Sequence, residues 1–353
     1  MTPQAEPSSL ARYLLLCYGL LVAYASLHPF TGWAATGVAP FAFVTVPIPR
    51  TILRYDFIAN ILGYAPLGFL AALSAYPLLR GARACAAATM AALALSFALE
   101  ALQSYLPSRT PSNVDWAANS LGGFAGALIG AWFAGPLLEE RGFKAARYRI
   151  FRPGWRIDIG LVLIALWLFI QLDPQILLFG GGDLRVLFQD PPPVLHPAEV
   201  FIRAEALVAG ANSLAIALII SLLVASGQRP RTLFAGTLAL ALLLHALAYA
   251  TFFGRAEALN WATPGALIGT LAGVLVALVA AALPRPAQLA LCALAVMAAA
   301  VVVNIAPTNP YLAASLATWH QGYFEHFIGL TRLIAGAWPF LALVYVVWLA
   351  SVR

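Results

Sequence analysis

The sequence predicts an all-α membrane protein, a polytopic bundle of about ten transmembrane helices. The mean hydropathy is +0.86 over 353 residues, and apolar runs of about 20 residues, the length of a transmembrane helix, recur along the whole chain. These runs are continuous rather than alternating, and only helices or closed barrels satisfy their backbone in lipid. A soluble domain is therefore excluded and helices are predicted.

The apolar runs place the ten spans in order along the chain. They are predicted at 11–31, 55–78, 84–105, 116–138, 157–178, 199–225, 232–253, 261–283, 287–305 and 328–350. With the N-terminus in the cytoplasm, the 20 Lys and Arg residues divide 13 to 7 in favour of the cytoplasmic side, as the positive-inside rule requires. The basic segment 141–156 dominates this assignment, and both termini are then cytoplasmic. Ala23-Tyr24-Ala25 resembles a signal-peptide cleavage site, but the weak charge before it favours a retained helix.

The remaining composition argues against other classes of protein. The net charge is +6, but the basic residues follow the positive-inside pattern of a membrane protein instead of gathering on one soluble face. No nucleic-acid partner is therefore expected. Cys17, Cys85 and Cys292 lie in or beside apolar runs without metal-type spacing, and we interpret them as small core residues. No cofactor and no metal is predicted, and the expected partners are membrane lipids.

Polar residues gather where three successive predicted helices reach the outer surface. Asp56 and Asn60 begin the second helix, Glu100 and Gln103 end the third, and the loop and the start of the fourth supply the rest: Arg109, Asp115 and Asn119. A carboxylate costs about 2.5 kcal/mol or more at the centre of a membrane helix, so Glu100 needs a partner. Arg109 is the nearest cation in the sequence, and a bidentate pair is expected. The cluster is either a functional pocket or an interhelical hydrogen-bonded contact.

Three glycines follow Asn119 at intervals of four residues. Gly122, Gly126 and Gly130 form a small-xxx-small face, which allows another helix to approach the fourth closely. Their role is therefore predicted to be structural.

Three stretches together resemble the VanZ-like family: "DFIANILGYAPLG" (56–68), "ALEALQSYLPSRTPSNVDWAANSLGG" (98–123) and the glycines after them. The matching positions are Asn60, Tyr64, Pro66, Gly68, Glu100, Gln103, Arg109, Asp115, Asn119 and Gly122. The resemblance implies a multi-pass protein of the bacterial inner (cytoplasmic) membrane. The family's namesake is associated with low-level teicoplanin resistance, relatives occur near exopolysaccharide genes, and no biochemical activity is established for the family.

The second half of the chain resembles the first at a fixed shift. Moving 145 residues takes Glu100 onto His245, Asp115 onto Asn260 and Trp116 onto Trp261, and moving 149 residues takes Asp56 onto Glu205. These matches predict a degenerate parallel repeat. The predicted divisions are a four-helix unit (1–140), a basic cytoplasmic linker (141–156), a second four-helix unit (157–285) and two C-terminal helices (286–353).

Two further polar segments are weaker candidates. The Gly-rich loop 180–199 lacks the Lys of a phosphate-binding loop and is predicted to be an ordered outer loop, or a lid. The segment 318–327 contains His320, Glu325 and His326 without metal-type spacing, and its aromatic residues favour membrane-interface anchoring.

The sequence therefore predicts an outward-facing pocket that recognises or handles an envelope component. Candidate ligands are a lipid-linked saccharide, a peptidoglycan precursor or a glycopeptide, with a link to antibiotic resistance implied by the resemblance. The alternative is an intramembrane enzyme that uses Glu100 and Asp115 as acid and base. The sequence favours binding over catalysis and does not indicate an oligomeric state.

Overall fold

The computed structural model describes residues 7–35, 37–48, 54–139, 143–185, 196–307 and 325–351, and these ranges contain helices and no strands. The helices are α1 (Ser9–Leu27), α2 (Arg54–Ala75), α3 (Gly81–Gln103), α4 (Asn113–Leu138), α5 (Phe143–Ile150), α6 (Trp155–Ile170), α7 (Ala198–Leu223), α8 (Pro230–Phe252), α9 (Pro264–Ala280), α10 (Arg285–Ile305) and α11 (Glu325–Ser351). Short 3₁₀ turns occupy Ala42–Val44 and Arg255–Glu257.

Eight of the helices in the described ranges are long and apolar enough to cross a membrane. The all-α, multi-pass prediction is thereby confirmed. Two predicted spans are shorter in the structure. The span 157–178 is helical only to Ile170, and the span 261–283 becomes α9, the 17-residue helix Pro264–Ala280.

The chain divides into two compact units, Met1–Ile159 and Gly160–Arg353. The basic segment 143–156 therefore belongs to unit 1. In unit 2, α10 packs against α7 and α11 packs against α10, so the two C-terminal helices share a unit with α7–α9.

The most extensive helix contact in unit 1 is between α2 and α4, and the predicted glycine face forms it. A Cβ atom added to Gly126 would lie 1.8 Å from the carbonyl oxygen of Ala65, and one added to Gly122 would lie 2.2 Å from that of Ile61. On α2, Gly68 meets the carbonyl oxygen of Gly123 in the same way, at 1.9 Å. Only glycine permits this backbone-to-backbone approach. Gly130 extends it against Phe69, and Pro66 lies within α2 on the same stretch.

Unit 2 contains the same kind of crossing between α7 and α9. Cβ atoms added to Gly265, Gly269 and Gly273 would lie 2.6, 2.2 and 2.3 Å from the carbonyl oxygens of Ile202, Ala206 and Gly210. Pairing Gly122 with Gly265 gives a shift of 143 residues (265 minus 122), two fewer than the sequence comparison used for this helix. The α7–α9 crossing thus resembles the α2–α4 crossing, and the degenerate repeat of 1–140 in 157–285 stays a prediction.

Candidate functional site

The residues predicted to form the binding pocket lie at one end of the unit 1 helices, where α1 and α3 finish and α2 and α4 begin; we call this the polar end. All seven are in this region: Asp56, Asn60, Glu100, Gln103, Arg109, Asp115 and Asn119. The prediction of a common depth therefore agrees with the helix boundaries, but the partners of individual residues differ from those expected.

The first contact joins α2 to α4 through Asn60 and Asp115. The Asn60 amide nitrogen donates a hydrogen bond to Asp115 Oδ1 at 2.9 Å. Asp56, one turn before Asn60, is exposed, and its negative charge acts on Asp115. The rim of the polar end therefore presents two acidic side chains, one fixed by an amide and one open to solvent.

Glu100 is buried, with 4% of its surface exposed, and it lies at the start of α4. Its Oε2 accepts a hydrogen bond from the backbone N–H of Ser112 at 2.9 Å. The Ser112 hydroxyl in turn caps α4 by accepting from the N–H groups of Val114 and Asp115. A helix N-terminus carries partial positive charge and unsatisfied N–H donors. The compensating partner of Glu100 is thus the beginning of α4.

Arg109 binds the end of α1 instead of Glu100. Its Nε donates to the carbonyl oxygen of His28 at 3.1 Å, and a terminal nitrogen donates to that of Ala25 at 2.7 Å. The last carbonyls of a helix lack intrahelical donors and attract cations. No Arg109–Glu100 ion pair forms in the described part of the chain, which corrects the expected bidentate pair. Partial burial lowers the pKa of Arg109, and the charge of Glu100 opposes that shift.

Two amide side chains connect the remaining helices. Gln103 donates to the carbonyl oxygen of Ser26 in α1 at 2.9 Å, and Asn119 donates to the hydroxyl of Ser96 in α3 at 3.0 Å. The Asn119 side chain is buried, and its carbonyl oxygen accepts no hydrogen bond from the described residues. Gln103 and Asn119 therefore serve helix packing, as the interhelical-contact interpretation predicts.

A cluster of aromatic rings joins α3 and α4 to the segment 41–43 near the polar end. Phe43 is buried against Phe97 and Trp116, and Phe41 stacks on Phe97 with ring centroids 5.5 Å apart. The segment that carries Phe41 and Phe43 is tied to α4, because the side chain of Asn113 donates to the carbonyl oxygen of Val46. Phe41 nevertheless remains 59% exposed. The site thus combines open aromatic faces with acidic groups.

The described residues among the other sequence candidates belong to unit 2. Gly180, Gly181 and Gly182 of the predicted outer loop are buried in unit 2, where Gly182 donates its N–H to the carbonyl oxygen of Ala335. They serve packing in unit 2, whereas residues 186–195 of that loop lie outside the described residues. His245 is buried and contacts the carbonyl oxygen of Gln171 through Nδ1. His320 and its aromatic neighbours also lie outside the described ranges, as do the side chains of Glu325 and His326.

Two serines of this region were not predicted as site residues. Ser112 caps α4 and donates its N–H to Glu100, while the Ser96 hydroxyl accepts from the Asn119 amide. Ser112 and Asp115 have the Ser-x-x-Asp spacing typical of a helix start before an apolar run. That signal predicts the beginning of α4 at Asn113, three residues before the span inferred from hydropathy.

Replacing Glu100 tests its role at the start of α4. We expect Glu100→Ala to lower the free energy of unfolding by about 2–3 kcal/mol, because a hydrogen bond to a charged group is lost and the Ser112 N–H is left unsatisfied. Glu100→Gln retains an acceptor oxygen and should cost about half as much. Thermal unfolding of the purified protein measures both, with exposed Glu199→Ala as the control. Equal stability of Glu100→Ala and the control would contradict the assignment.

A comparison with known proteins identifies the first unit. Residues 10–134 match the family model VanZ/LLP1, a range that contains α1 to α3 and most of α4. No curated protein and no solved structure matches the chain. The helices and the motifs at their ends agree with this match. The protein is therefore a multi-pass membrane protein in which residues 10–134 form a domain of the VanZ-like family.

Proposed function

We propose that the VanZ-like domain binds the hydroxyl-bearing or amine-bearing headgroup of an envelope component at its polar end. Candidate ligands are a lipid-linked saccharide, a peptidoglycan precursor or a glycopeptide such as teicoplanin. The proposal places the protein in the bacterial inner membrane with the polar end outward, following the distribution of basic residues. Such a ligand would reach the polar end from the extracytoplasmic side.

The observation that carries this proposal is which charged groups already have partners. Arg109 is half-buried and donates to two carbonyl oxygens of α1, whereas Asp56 is exposed and the half-buried Asp115 accepts from the Asn60 amide through one oxygen. Ionised carboxylates accept hydrogen bonds from hydroxyl and ammonium groups. The arrangement therefore favours sugar hydroxyls or amines over an anionic headgroup.

The aromatic residues support the same class of ligand. Phe30, Trp33 and Phe41 are 42%, 46% and 59% exposed, and Phe41 stacks on Phe97, which also contacts Trp116. Exposed apolar rings at the same end of the unit as acceptor oxygens suit a ligand that has both C–H faces and polar edges.

An acid or base role for Glu100 receives less support. Its carboxylate is buried, and Oε2 already accepts from the Ser112 N–H, so a ligand could exchange a proton with Oε1 only if the surrounding helices opened. Binding at the rim requires no such rearrangement.

Binding to the full-length protein in lipid nanodiscs tests the proposal. The probes are fluorescently labelled teicoplanin and a lipid-linked peptidoglycan precursor, each titrated separately. For the probe that binds, we expect Asp56→Asn to weaken binding about tenfold, a loss of about 1.4 kcal/mol. Asp56 is suited to this test because it is exposed and its substitution should leave the fold intact.

The matched control is Glu199→Gln, since Glu199 is also an exposed carboxylate in the first turn of a helix. It should bind like the unmodified protein. Failure of both probes to bind, or equal binding by the two variants, would overturn the proposal.

A further inference from the structure

We infer that unit 1 carries a second binding site, for one acyl chain of an anionic phospholipid, at the end opposite the polar end. The site is a groove of about 550 Å³ between α3 and α4. It is independent of the polar end and uses none of the residues assigned there.

The lining of the groove is almost entirely apolar. On the α3 side it consists of small residues and one methionine, and on the α4 side of three large apolar residues and one alanine: Gly81, Ala82, Cys85, Ala86, Thr89, Met90, Phe124, Leu128, Ala131 and Trp132. Because the side chains on α3 are small and most of those on α4 are large, a groove remains between the two packed helices. Its volume falls within the roughly 300–1,000 Å³ typical of sites for small organic ligands.

The length of the groove matches one leaflet of a bilayer. It runs along α3 from Gly81 to Met90, and nine residues at 1.5 Å per residue span about 14 Å. Half of a hydrocarbon core of about 30 Å is about 15 Å. Trp132 is 77% and Met90 60% exposed, so the open side of the groove faces the surroundings of the helix pair. A single extended acyl chain fits these dimensions.

Two arginines supply the charge complementarity at the groove's end. Arg83 lies three residues before Ala86 and seven before Met90, and these spacings place the three on one side of α3. Arg80 precedes the helix, and its guanidinium lies 5.0 Å from the centre of the Tyr76 ring. Both arginines are exposed, and neither forms an ion pair with a described residue. A phosphate at this position would place the attached chain in the groove.

Photochemical labelling of the full-length protein tests the inference. Nanodiscs of phosphatidylcholine would contain a trace of phosphatidylglycerol with a diazirine in its acyl chain, and labelled peptides would be mapped by mass spectrometry. We expect labels to concentrate at Met90 and around Trp132. In the Arg80→Gln/Arg83→Gln variant they should fall about tenfold, toward the level given by diazirine phosphatidylcholine.

Two further variants keep the result interpretable. Ala86→Trp fills the groove and should abolish labelling there while both arginines remain. Arg229→Gln/Arg231→Gln removes an arginine pair at the start of α8 and should leave groove labelling unchanged. Equal labelling by the two lipids, or labelling of the groove no greater than at exposed Leu243, would overturn the inference.

Discussion

Gly126→Ala should prevent stable folding, with a loss of more than about 3 kcal/mol, the upper part of the range for overpacked cores. The new methyl group would lie 1.8 Å from the carbonyl oxygen of Ala65 and 2.9 Å from the backbone nitrogen of Phe69. Backbone atoms cannot move aside as a side chain can, so α2 and α4 must separate. The measurement is thermal unfolding followed with a thiol-reactive dye, because Cys85 and Cys292 are buried and free.

Gly63→Ala is the matched control for this substitution. Gly63 lies within α2, and nothing lies within 4 Å of an added Cβ atom. Alanine has the higher helix propensity, by about 0.8–1 kcal/mol, so this variant should be as stable as the unmodified protein or more stable. Similar melting of Gly126→Ala and Gly63→Ala would show that the two helices do not approach as described.

Arg147→Met should lower stability by about 3–5 kcal/mol, the range for breaking a buried ion pair from one side. Arg147 and Asp158 lie 2.7 Å apart, with side chains 8% and 1% exposed. Asp158 also accepts a hydrogen bond from Ser9 at the start of α1. Without Arg147 the buried carboxylate would lose its ion-pair partner and keep the Ser9 hydroxyl as its described side-chain partner.

A double-mutant cycle isolates the pair from other effects of the substitution. Asp158→Asn keeps an acceptor for Ser9 but removes the charge, so Arg147→Met/Asp158→Asn should recover most of the loss. Unfolding is followed with the same dye. If the two single losses simply add in the double variant, the ion pair is not responsible for the stability.

The helices were predictable from sequence because hydropathy and length determine which segments can cross a membrane. In the two shortened spans, hydropathy overestimated the length of the helix. After Ile170 the backbone from Gln171 to Gly182 is irregular, and Asp173 is buried and bonded to Thr331 in α11. Irregular backbone is tolerated at this depth where protein surrounds it, and hydropathy does not distinguish it from a helix.

The membership of the polar cluster was also predictable, whereas its pairing was not. Spacings of four residues and positions at span ends indicated that Asn60 and Asp115 share a depth. The partner of Arg109 could not be inferred, because proximity in sequence favoured Glu100. The carbonyl oxygens that Arg109 binds are those of Ala25 and His28, 84 and 81 residues away, and only the packing of α1 brings them near. Every residue has a backbone carbonyl oxygen, so the sequence does not indicate which of them will accept a hydrogen bond from Arg109.

The crossing of α2 and α4 has a mechanical consequence. Because their backbones meet at Gly122, Gly126 and Gly68, the two helices have no layer of side chains through which to slide and should move as one stiff plate. Asn60 and Asp115 belong to this rigid helix pair, so the distance between them should stay constant. A rearrangement that opened the polar end to a ligand would therefore have to involve α1, α3 or the segment that carries Phe41.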